Sequence, residues 1–260
     1  GPLGLVAVHF NYCGYEVPEG NFKRFLRRFK PILDDMIVVE LAYGDSPFKL
    51  GGLAPNILSL RTDSVMWHKE NLINVGTRVL RDRGYVNVGW IDGDTELRMD
   101  VVKWFCEAKD AMGENSLVQL FEEGVHRFPE KNYPGKGAVA ALSPGIPPSR
   151  VGKTGLGWAV NGGICDRHKW YEASVIGSGD RLAFIAASCG EKENPSTGIV
   201  EFRSNQGYRN HFRQWARGWN AETHGNVSFL KGVKANMDAH GSIEDRGYAT
   251  RERMLARVGY

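Results

Sequence analysis

Cysteine is scarce in this sequence and shows no metal-binding or disulfide pattern. The four cysteines stand at positions 13, 106, 165 and 189, without Cys-x-x-Cys or Cys/His ligand spacing. This separation argues against a zinc module. A chain of 260 residues can bury enough apolar surface to fold without disulfides. We therefore expect a reducing compartment, and the cytoplasm is the default expectation.

Long apolar runs and a strong charge excess are also absent. No apolar run approaches the roughly 20 residues that cross a bilayer, and no signal-peptide pattern precedes the first predicted strand. This predicts a soluble protein with no membrane partner. The 33 Lys and Arg residues nearly balance the 30 Asp and Glu residues, so the net charge of +3 says little about partners. We set aside residues 1–4 because Gly-Pro-Leu-Gly resembles the remnant of a cleaved tag.

Alternating strand and helix patterns predict the fold class. Short apolar runs rich in β-branched residues predict buried strands at 5–10, 36–41, 86–91 and 117–121. The repeated strand-helix-strand order predicts an α/β fold with a mixed, mainly parallel sheet flanked by helices. In such sheets ligands bind beyond the carboxyl ends of the strands, so the residues after each run are candidates for a site. The helical patterns between the strands lie at 21–29, 64–80 and 100–112.

The chain is predicted to form one domain over 5–260. Residues 128–157 contain five prolines and many glycines with little periodicity, which predicts a long loop. Such loops are often lids or binding segments, and a plain insertion is an equal alternative. Bounded at 126–157, this loop separates a first half at 5–125 from a second half at 158–260. The last third has a strand pattern at 156–161, helix patterns from 163, around 183 and at 208–221, and a final arginine-rich helix.

The sharpest local feature is a pair of aspartates, Asp92 and Asp94, directly after the strand predicted at 86–91. Residues i and i+2 of an extended chain point to the same side, so both carboxylates can face one small volume. Two like charges this close need a cation, and hard oxygen ligands suit Mg²⁺ or Mn²⁺. Substrate phosphates can fill the open positions of such an ion. The alternative is that Asp92 and Asp94 belong to a solvated turn at the end of the strand.

Three further residues, on or next to predicted helices and strands, are candidates for the same site. Lys69 lies in the segment KENLINVG, on the helix that feeds the strand before Asp92. Asp180 ends the segment GSGD, whose glycines let a ligand approach the backbone and whose helix N-terminus favours negative charge. His240 follows a predicted strand, and a neutral imidazole can complete a metal shell. Each has an ordinary alternative, namely a solvated lysine, an N-cap and a surface-turn histidine.

The order of these motifs resembles a known family of enzymes. A first strand, KENLINVG, DGD, GLGWAVNGG, GSGD and a final histidine resemble the GT-A glycosyltransferases, in particular the β-1,4-galactosyltransferase type. The chain more closely resembles mainly phage glycosyltransferase-like proteins related to the base J glucosyltransferase, which are thought to glycosylate hydroxymethylated bases in DNA. Nearly the whole chain takes part in this resemblance. The matching segments are 40–45, 67–74, 90–94, 118–121, 177–183 and 240–251.

The resemblance implies a metal-dependent inverting glycosyltransferase with a GT-A, Rossmann-like fold and a nucleotide-sugar donor, with a UDP-sugar favoured. It implies that Asp94 and His240 bind Mn²⁺ or Mg²⁺, with Asp92 on the ribose or the metal. Asp180 would be the general base that takes the proton from the acceptor hydroxyl. The galactosyltransferase type has Glu where Gly179 stands, so acceptor recognition must differ. The remaining predicted contacts are Asn11, Tyr12, Arg61, Lys69 and Asp92 for the nucleotide, and Trp158, Gly179, Arg213 and Arg217 for the acceptor.

A basic helix pattern at 208–221 bears on the acceptor. Arg209, Arg213 and Arg217 recur every four residues and share a helical face, with Trp215 and Trp219 nearby. Arginines interleaved with aromatics suit phosphate backbones and exposed bases, and a solvated helix face is an equal alternative. The predicted acceptor is a hydroxymethylated pyrimidine, hydroxymethyluracil, in phage DNA inside an infected bacterial host. The alternatives are a glycan or protein acceptor, and a binding protein that kept the fold but lost catalysis.

Overall fold

A computed structural model of the chain describes residues 1–65, 67–127, 131–142, 152–173, 179–189 and 206–239. The strands are β1 (Leu3–Phe10), β2 (Met36–Tyr43), β3 (Ile57–Thr62), β4 (Asn87–Ile91), β5 (Thr95–Leu97), β6 (Leu117–Gln119), β7 (Glu123–Arg127), β8 (Asn132–Lys136), β9 (Gly157–Asn161), β10 (Val227–Phe229) and β11 (Lys234–Met237). The helices are α1 (Glu16–Arg28), α2 (Lys69–Asp82), α3 (Val101–Asp110), α4 (Gly162–His168), α5 (Gly179–Cys189) and α6 (Gln206–Thr223), with a 3₁₀ helix at Lys30–Asp35.

The central sheet has seven strands in the order β10-β6-β9-β4-β1-β2-β3. All neighbours are parallel except β9, which runs antiparallel to both β4 and β6. The predicted fold class, a mixed and mainly parallel sheet flanked by helices, is confirmed. Strands β1 and β2 are buried along almost their whole length, because helices cover both faces of a parallel sheet.

The two faces of the sheet build two apolar clusters. Val6 of β1 points into the cluster with α2, α4, α5 and α6, whereas its neighbours Leu5 and Ala7 point into the cluster with α1 and α3. This alternation follows from the period of two in an extended chain. Trp158 and Trp104 are fully buried, one in each cluster. The sheet is therefore held from both sides, and its carboxyl edge is positioned by packed helices.

A second sheet of four strands, in the order β5-β11-β7-β8, includes part of the stretch predicted as a loop. Strand β8 pairs antiparallel with β7 and brings Val125 opposite Pro134. The prediction of one long loop over 128–157 was wrong at this point. Proline cannot donate to a ladder but is tolerated on an edge strand, and β8 lies at the edge of its sheet. Residues 128–130 and 143–151 of this stretch lie outside the described residues.

The ends of several elements also differ from the sequence expectation. Residues 1–4 were set aside, yet Leu3 and Gly4 belong to β1, where they pair with Asn87 and Val88. Leu3 is 1% exposed, which explains why the strand extends over it. The second predicted helix begins at Lys69 rather than at residue 64. The short strands β3, β5, β7 and β10 were not predicted, whereas β11 is the strand expected before His240. The final arginine-rich helix lies outside the described residues.

Two further expectations concern membrane-spanning helices and the cysteines. Within the parts of the chain that the structure describes, helices are too short or too polar to span a bilayer. Cys13, Cys106 and Cys165 are free thiols. The division into two halves around residues 126–157 stays a prediction.

Candidate active site

Three elements meet at the carboxyl end of β4. Lys69 and Glu70 begin α2, Asp92 follows β4, and Gly179 and Asp180 begin α5. Because β9 is antiparallel to β4, the start of β9 lies beside the end of β4, with Gly157 opposite Ile91. The structure thus brings together three residues that the sequence analysis had taken from three distant motifs. These are Lys69, Asp92 and Asp180.

Asp92 is fixed by two sets of contacts. Its backbone N–H donates to the carbonyl oxygen of Leu156 at 2.8 Å, and its Oδ2 accepts the N–H of Leu156 at 2.8 Å. Its Oδ1 lies 2.7 Å from the Nζ of Lys69. The carboxylate is therefore held by the residue just before β9 on one side and by α2 on the other.

Lys69 is a largely buried cation, with 12% of its side chain exposed. Its Nζ lies 4.1 Å from the centroid of the Trp90 ring, where the ring face attracts a positive charge. Burial would lower the pKa of Lys69, but the carboxylates of Asp92, Asp180 and Glu70 raise it above its ordinary value. The site therefore carries a permanent positive charge among several acidic groups.

Asp180 faces the same small space as Asp92. A Cβ placed on Gly155 would lie 3.6 Å from Asp92 Oδ2 and 3.7 Å from Asp180 Oδ2. The other oxygen of Asp180, Oδ1, accepts the backbone N–H of Arg181 at 2.7 Å. The first turn of a helix stabilises a negative charge at this position. The Oδ2 of Asp180 thus faces the gap next to Gly155.

Glu70 belongs to the site although the sequence analysis gave it no role. It is 5% exposed and its Oε2 accepts the indole N–H of Trp67 at 3.0 Å. A Cβ at Gly179 would overlap the Glu70 carboxyl group, so a larger residue where α5 begins would force the Glu70 side chain to shift. Burial raises the pKa of Glu70 to about 7, the charge of Lys69 opposes this, and the charge of Asp180 adds to it. The signal in the sequence was the Trp three residues before an acidic residue in a first helical turn.

The predicted metal ligands are only partly described. The carbonyl oxygen of Asp94 accepts the N–H of Asp238 at 2.8 Å, so the chain after β11 passes Asp94 two residues before His240. His240 itself lies outside the described residues. Within the described part of the chain, no group of three His, Cys, Asp or Glu side chains could hold a metal ion. Asp92 is engaged by Lys69 and Leu156, so the ligand set is incomplete and we derive no step through a metal.

A cavity of about 310 Å³ lies further along the same edge, at the ends of β1 and β2. Asn11 and Tyr12 line it, as expected for a nucleotide site, and Tyr43 lies at 5.9 Å from Tyr12 between ring centroids. Both ends of the Asn11 amide bind the backbone of Tyr15, at 2.6 and 3.0 Å, so Asn11 shapes the turn after β1. The cavity floor includes Glu40, whose carboxylate accepts the N–H of Leu50.

Arg61 contacts the rim of this cavity. It donates to the carbonyl oxygens of Gly44 and Ser46, and its guanidinium carbon lies 4.8 Å above the Phe48 ring. Ser46 lines the cavity. In this arrangement Arg61 holds the segment after β2, and its assignment to the nucleotide stays a prediction.

Two expectations about aromatic residues need correction. Trp158 was expected to offer a flat wall to an acceptor, but it is 0% exposed and donates its indole N–H to the carbonyl oxygen of Thr154 at 2.6 Å. A fully buried ring has no face for a ligand. Trp215 and Trp219 were expected to interleave with arginines, but both donate to backbone carbonyls at the end of α4, at 2.9 Å and 2.8 Å. They anchor α6 to the core.

The arginines of α6 do face outward. Phe212, Ala216 and Trp219 are buried on one side of the helix. The opposite side carries Arg213 and Arg217, which line a shallow groove of about 510 Å³ together with Asn210 and Gln214. Two arginines of the predicted basic helix face, Arg213 and Arg217, therefore line this groove, and neither Trp215 nor Trp219 is among the described residues that line it. The side chain of Arg209 lies outside the described residues.

No protein-family model matches the sequence, and no curated protein matches it. Among solved structures, S. aureus TarS 1-349 in complex with UDP-GlcNAc is 10% identical over 96% of this chain and 62% of that chain, with a TM-score of 0.45. Mannose-1-phosphate geranyltransferase from Thermus thermophilus is 11% identical over 91% of this chain and 74% of that chain, with a TM-score of 0.41. In another structure of TarS 1-349, the chain spans about half the length, 53%. These TM-scores are too low to support an argument about activity.

Proposed function

We propose that this chain is a glycosyltransferase that uses a nucleotide sugar, with the Lys69, Asp92 and Asp180 site as its active site. The observation that carries the proposal is the convergence of these three residues at the carboxyl edge of the sheet. The same edge holds the cavity lined by Asn11 and Tyr12, and ligands of α/β sheets bind at this edge. The motif order along the sequence supports the same function.

The proposed donor binds along the edge from β2 to β4. The nucleobase enters the cavity lined by Tyr12 and Tyr43, and the diphosphate extends toward Lys69. When the bond between the anomeric carbon and the diphosphate oxygen breaks, the bonding electrons stay on the diphosphate. The ammonium of Lys69 beside the diphosphate stabilises the negative charge that develops. The effect is strong because the site is largely shielded from water. Uridine is favoured by the sequence resemblance.

The proposed acceptor reaction is a single displacement. The carboxylate of Asp180 accepts the proton of the acceptor hydroxyl while the hydroxyl oxygen bonds to the anomeric carbon. The new bond forms on the face opposite the leaving diphosphate, so the configuration at that carbon inverts. Asp92 is paired with Lys69 and borders the sugar.

We propose a hydroxymethylated pyrimidine in duplex DNA as the acceptor, with hydroxymethyluracil as the first candidate. The outward face of α6 with Arg213 and Arg217 supports this part, because guanidinium groups bind phosphates along a backbone. The hydroxymethyl group must reach Asp180, which requires the base to leave the stack. The first alternative is a glycan or protein acceptor for the same donor. The second alternative is a binding protein without catalytic activity.

The test is a transfer assay with purified protein, Mn²⁺ and labelled UDP-glucose, UDP-GlcNAc or UDP-galactose. The acceptors are a duplex with hydroxymethyluracil, a duplex with hydroxymethylcytosine, and an identical duplex with thymine. We expect label on a modified duplex and none on the thymine duplex. Label on a glycan or protein acceptor alone would favour the alternative, and the absence of label on every modified duplex would overturn the DNA acceptor.

DNA binding can be tested separately from transfer. The double variant Arg213→Gln and Arg217→Gln removes two charges from the outward face of α6, and Lys103→Gln on the exposed surface of α3 is the matched control. We expect weaker binding and a salt dependence whose logarithmic slope falls by about 1 for each phosphate that is no longer neutralised. An unchanged slope in the double variant would remove α6 from the acceptor site.

A further inference from the structure

Gly155 stands between two residues that the fold holds firmly. The carbonyl oxygen of Thr154 accepts the indole N–H of Trp158 at 2.6 Å. The carbonyl oxygen of Leu156 accepts the backbone N–H of Asp92, and the N–H of Leu156 donates to Asp92 Oδ2. Leu156 also has a φ of 76°, a left-handed conformation that is costly for a leucine and persists only where its surroundings impose it. The position of Gly155 relative to Asp92 is therefore set by its neighbours.

The space next to Gly155 is bounded by two carboxylate oxygens. Apart from its chain neighbours, the described residues place two heavy atoms within 4 Å of a Cβ built on Gly155. These are Asp92 Oδ2 at 3.6 Å and Asp180 Oδ2 at 3.7 Å. Both distances are ordinary van der Waals contacts, so a methyl group would fit against the protein. It would occupy the place where a ligand atom could touch both carboxylates.

Contacts with the described residues do not explain why position 155 is a glycine. A Cβ on Gly157 would lie 2.8 Å from the carbonyl oxygen of Trp90, and a Cβ on Gly89 would lie 2.5 Å from that of Trp158. Those two glycines allow β4 and β9 to approach each other. Gly155 is not among the described glycines with positive φ, so neither a positive φ nor the close approach of a described residue demands it.

We propose that Gly155 is a specificity-determining residue that leaves room for the transferred sugar between Asp92 and Asp180. This inference rests on the proposed function. Carboxylate oxygens accept more than one hydrogen bond each, so sugar hydroxyls can donate to Asp92 Oδ2 and Asp180 Oδ2 together. Lys69 stays on Asp92 Oδ1, on the side of the diphosphate. The gap thus distinguishes a nucleoside diphosphate that carries a sugar from one that does not.

The test is the variant Gly155→Ala, with Gly51→Ala as the matched control. Gly51 is exposed, and a Cβ there meets nothing within 4 Å in the described structure. Binding of UDP, UDP-glucose, UDP-GlcNAc and UDP-galactose is measured by calorimetry, and folding by thermal melting. We expect Gly155→Ala to melt like the wild type and to bind UDP like the wild type. Its affinity for the sugar nucleotide that the wild type prefers, and its transfer rate, should each fall by about tenfold or more.

The outcomes separate this inference from the function on which it rests. If the wild type binds neither UDP nor any sugar nucleotide, the proposed function fails and the role of Gly155 with it. If the wild type binds a sugar nucleotide and Gly155→Ala binds it equally well, the role of Gly155 alone is overturned. Failure of Gly155→Ala to fold would also overturn it, because glycine would then be needed for packing. Equal losses for UDP and the sugar nucleotides would place Gly155 at the nucleotide instead.

Discussion

The Nζ of Lys69 lies 2.7 Å from Oδ1 of Asp92 and joins the first turn of α2 to the end of β4. This pair places a cation at the centre of a site that otherwise consists of carboxyl groups. The face of the Trp90 ring lies against the same ammonium, with the ring centroid 4.1 Å from Nζ.

Replacing Lys69 should therefore affect both donor binding and transfer. Lys69→Met removes the charge that faces the diphosphate, and we expect weaker UDP binding and a transfer rate lower by about 10²–10³-fold. Lys69→Arg keeps the charge and should retain part of the UDP affinity. Lys103→Met, on the exposed side of α3, is the control. Calorimetry with UDP and initial rates provide the measurements, and UDP affinity equal to that of the wild type in Lys69→Met would exclude this role.

Asp180→Asn tests the general base. The amide keeps the shape of the side chain but cannot take the proton, so we expect the transfer rate to fall by about 10²–10⁴-fold while UDP is still bound. Asp63→Asn, at an exposed position after β3, is the matched control. Full activity of Asp180→Asn would show that another group accepts the proton. If neither the wild type nor the variant transfers a sugar, a binding protein becomes the better interpretation.

Metal removal tests a prediction that depends on the spacing of Asp92 and Asp94 and on the sequence resemblance. That resemblance assigns Asp94 and His240 to a divalent ion, so dialysis against EDTA should abolish transfer and added Mn²⁺ should restore it. The variant Asp94→Asn should raise the Mn²⁺ concentration needed for half-maximal activity, and Asp63→Asn should not. Full activity in EDTA would assign the neutralisation of the diphosphate to Lys69.

His9 should make folding sensitive to mild acid. Burial lowers its pKa from 6.5 to about 4, with a smaller opposing effect of Glu19 and a small reinforcing effect of Lys23. The folded protein therefore holds His9 neutral, and this contribution to stability is complete above pH 6.5 and is lost as the pH falls through about 4. Its full size is about 3 kcal/mol.

Urea unfolding at pH 7.5 and at a pH just above 4 measures this effect. His9→Asn should lose less stability between the two pH values than the wild type, since it has no proton to take up. His224→Asn is the matched control because His224 is exposed and asparagine tolerates its φ of 52°. An equal pH dependence in His9→Asn and the wild type would contradict the assignment.

Several parts of the fold were accessible from the sequence because their signals are local. Strands β1 and β2 are continuous apolar runs, since both faces of the sheet are covered, and α1 to α3 have regular helical periods. The three-residue strands β5, β6 and β10 have no such signal of their own, because they are specified by the neighbours with which they pair. Of these, β6 alone was predicted, as part of a longer apolar run.

The residues of the candidate site likewise divide into those with a local signal in the sequence and those without one. Asp92 was predicted because it follows an apolar run, and Asp180 because it opens a helix. Lys69 was predicted from its place on the helix before that strand and from the sequence resemblance. Glu70 and Gly155 were missed, since their importance depends on what lies against them in space. Trp158 was misjudged for the same reason, because its indole is used inside the core.

The amino-acid sequence by itself determined the α/β class, the order of the main strands and helices, and the residue types available at the carboxyl edge of the sheet. Apolar periodicity and motif order are properties of neighbouring residues, and they need no coordinates. Tertiary structure alone decided which charges meet. The antiparallel entry of β9 beside β4 brings Gly155 and Leu156 to Asp92, and the packing of α2 and α5 brings Lys69 and Asp180 to the same gap. Electrostatic and steric effects act over a few ångströms of space, whatever the separation along the chain.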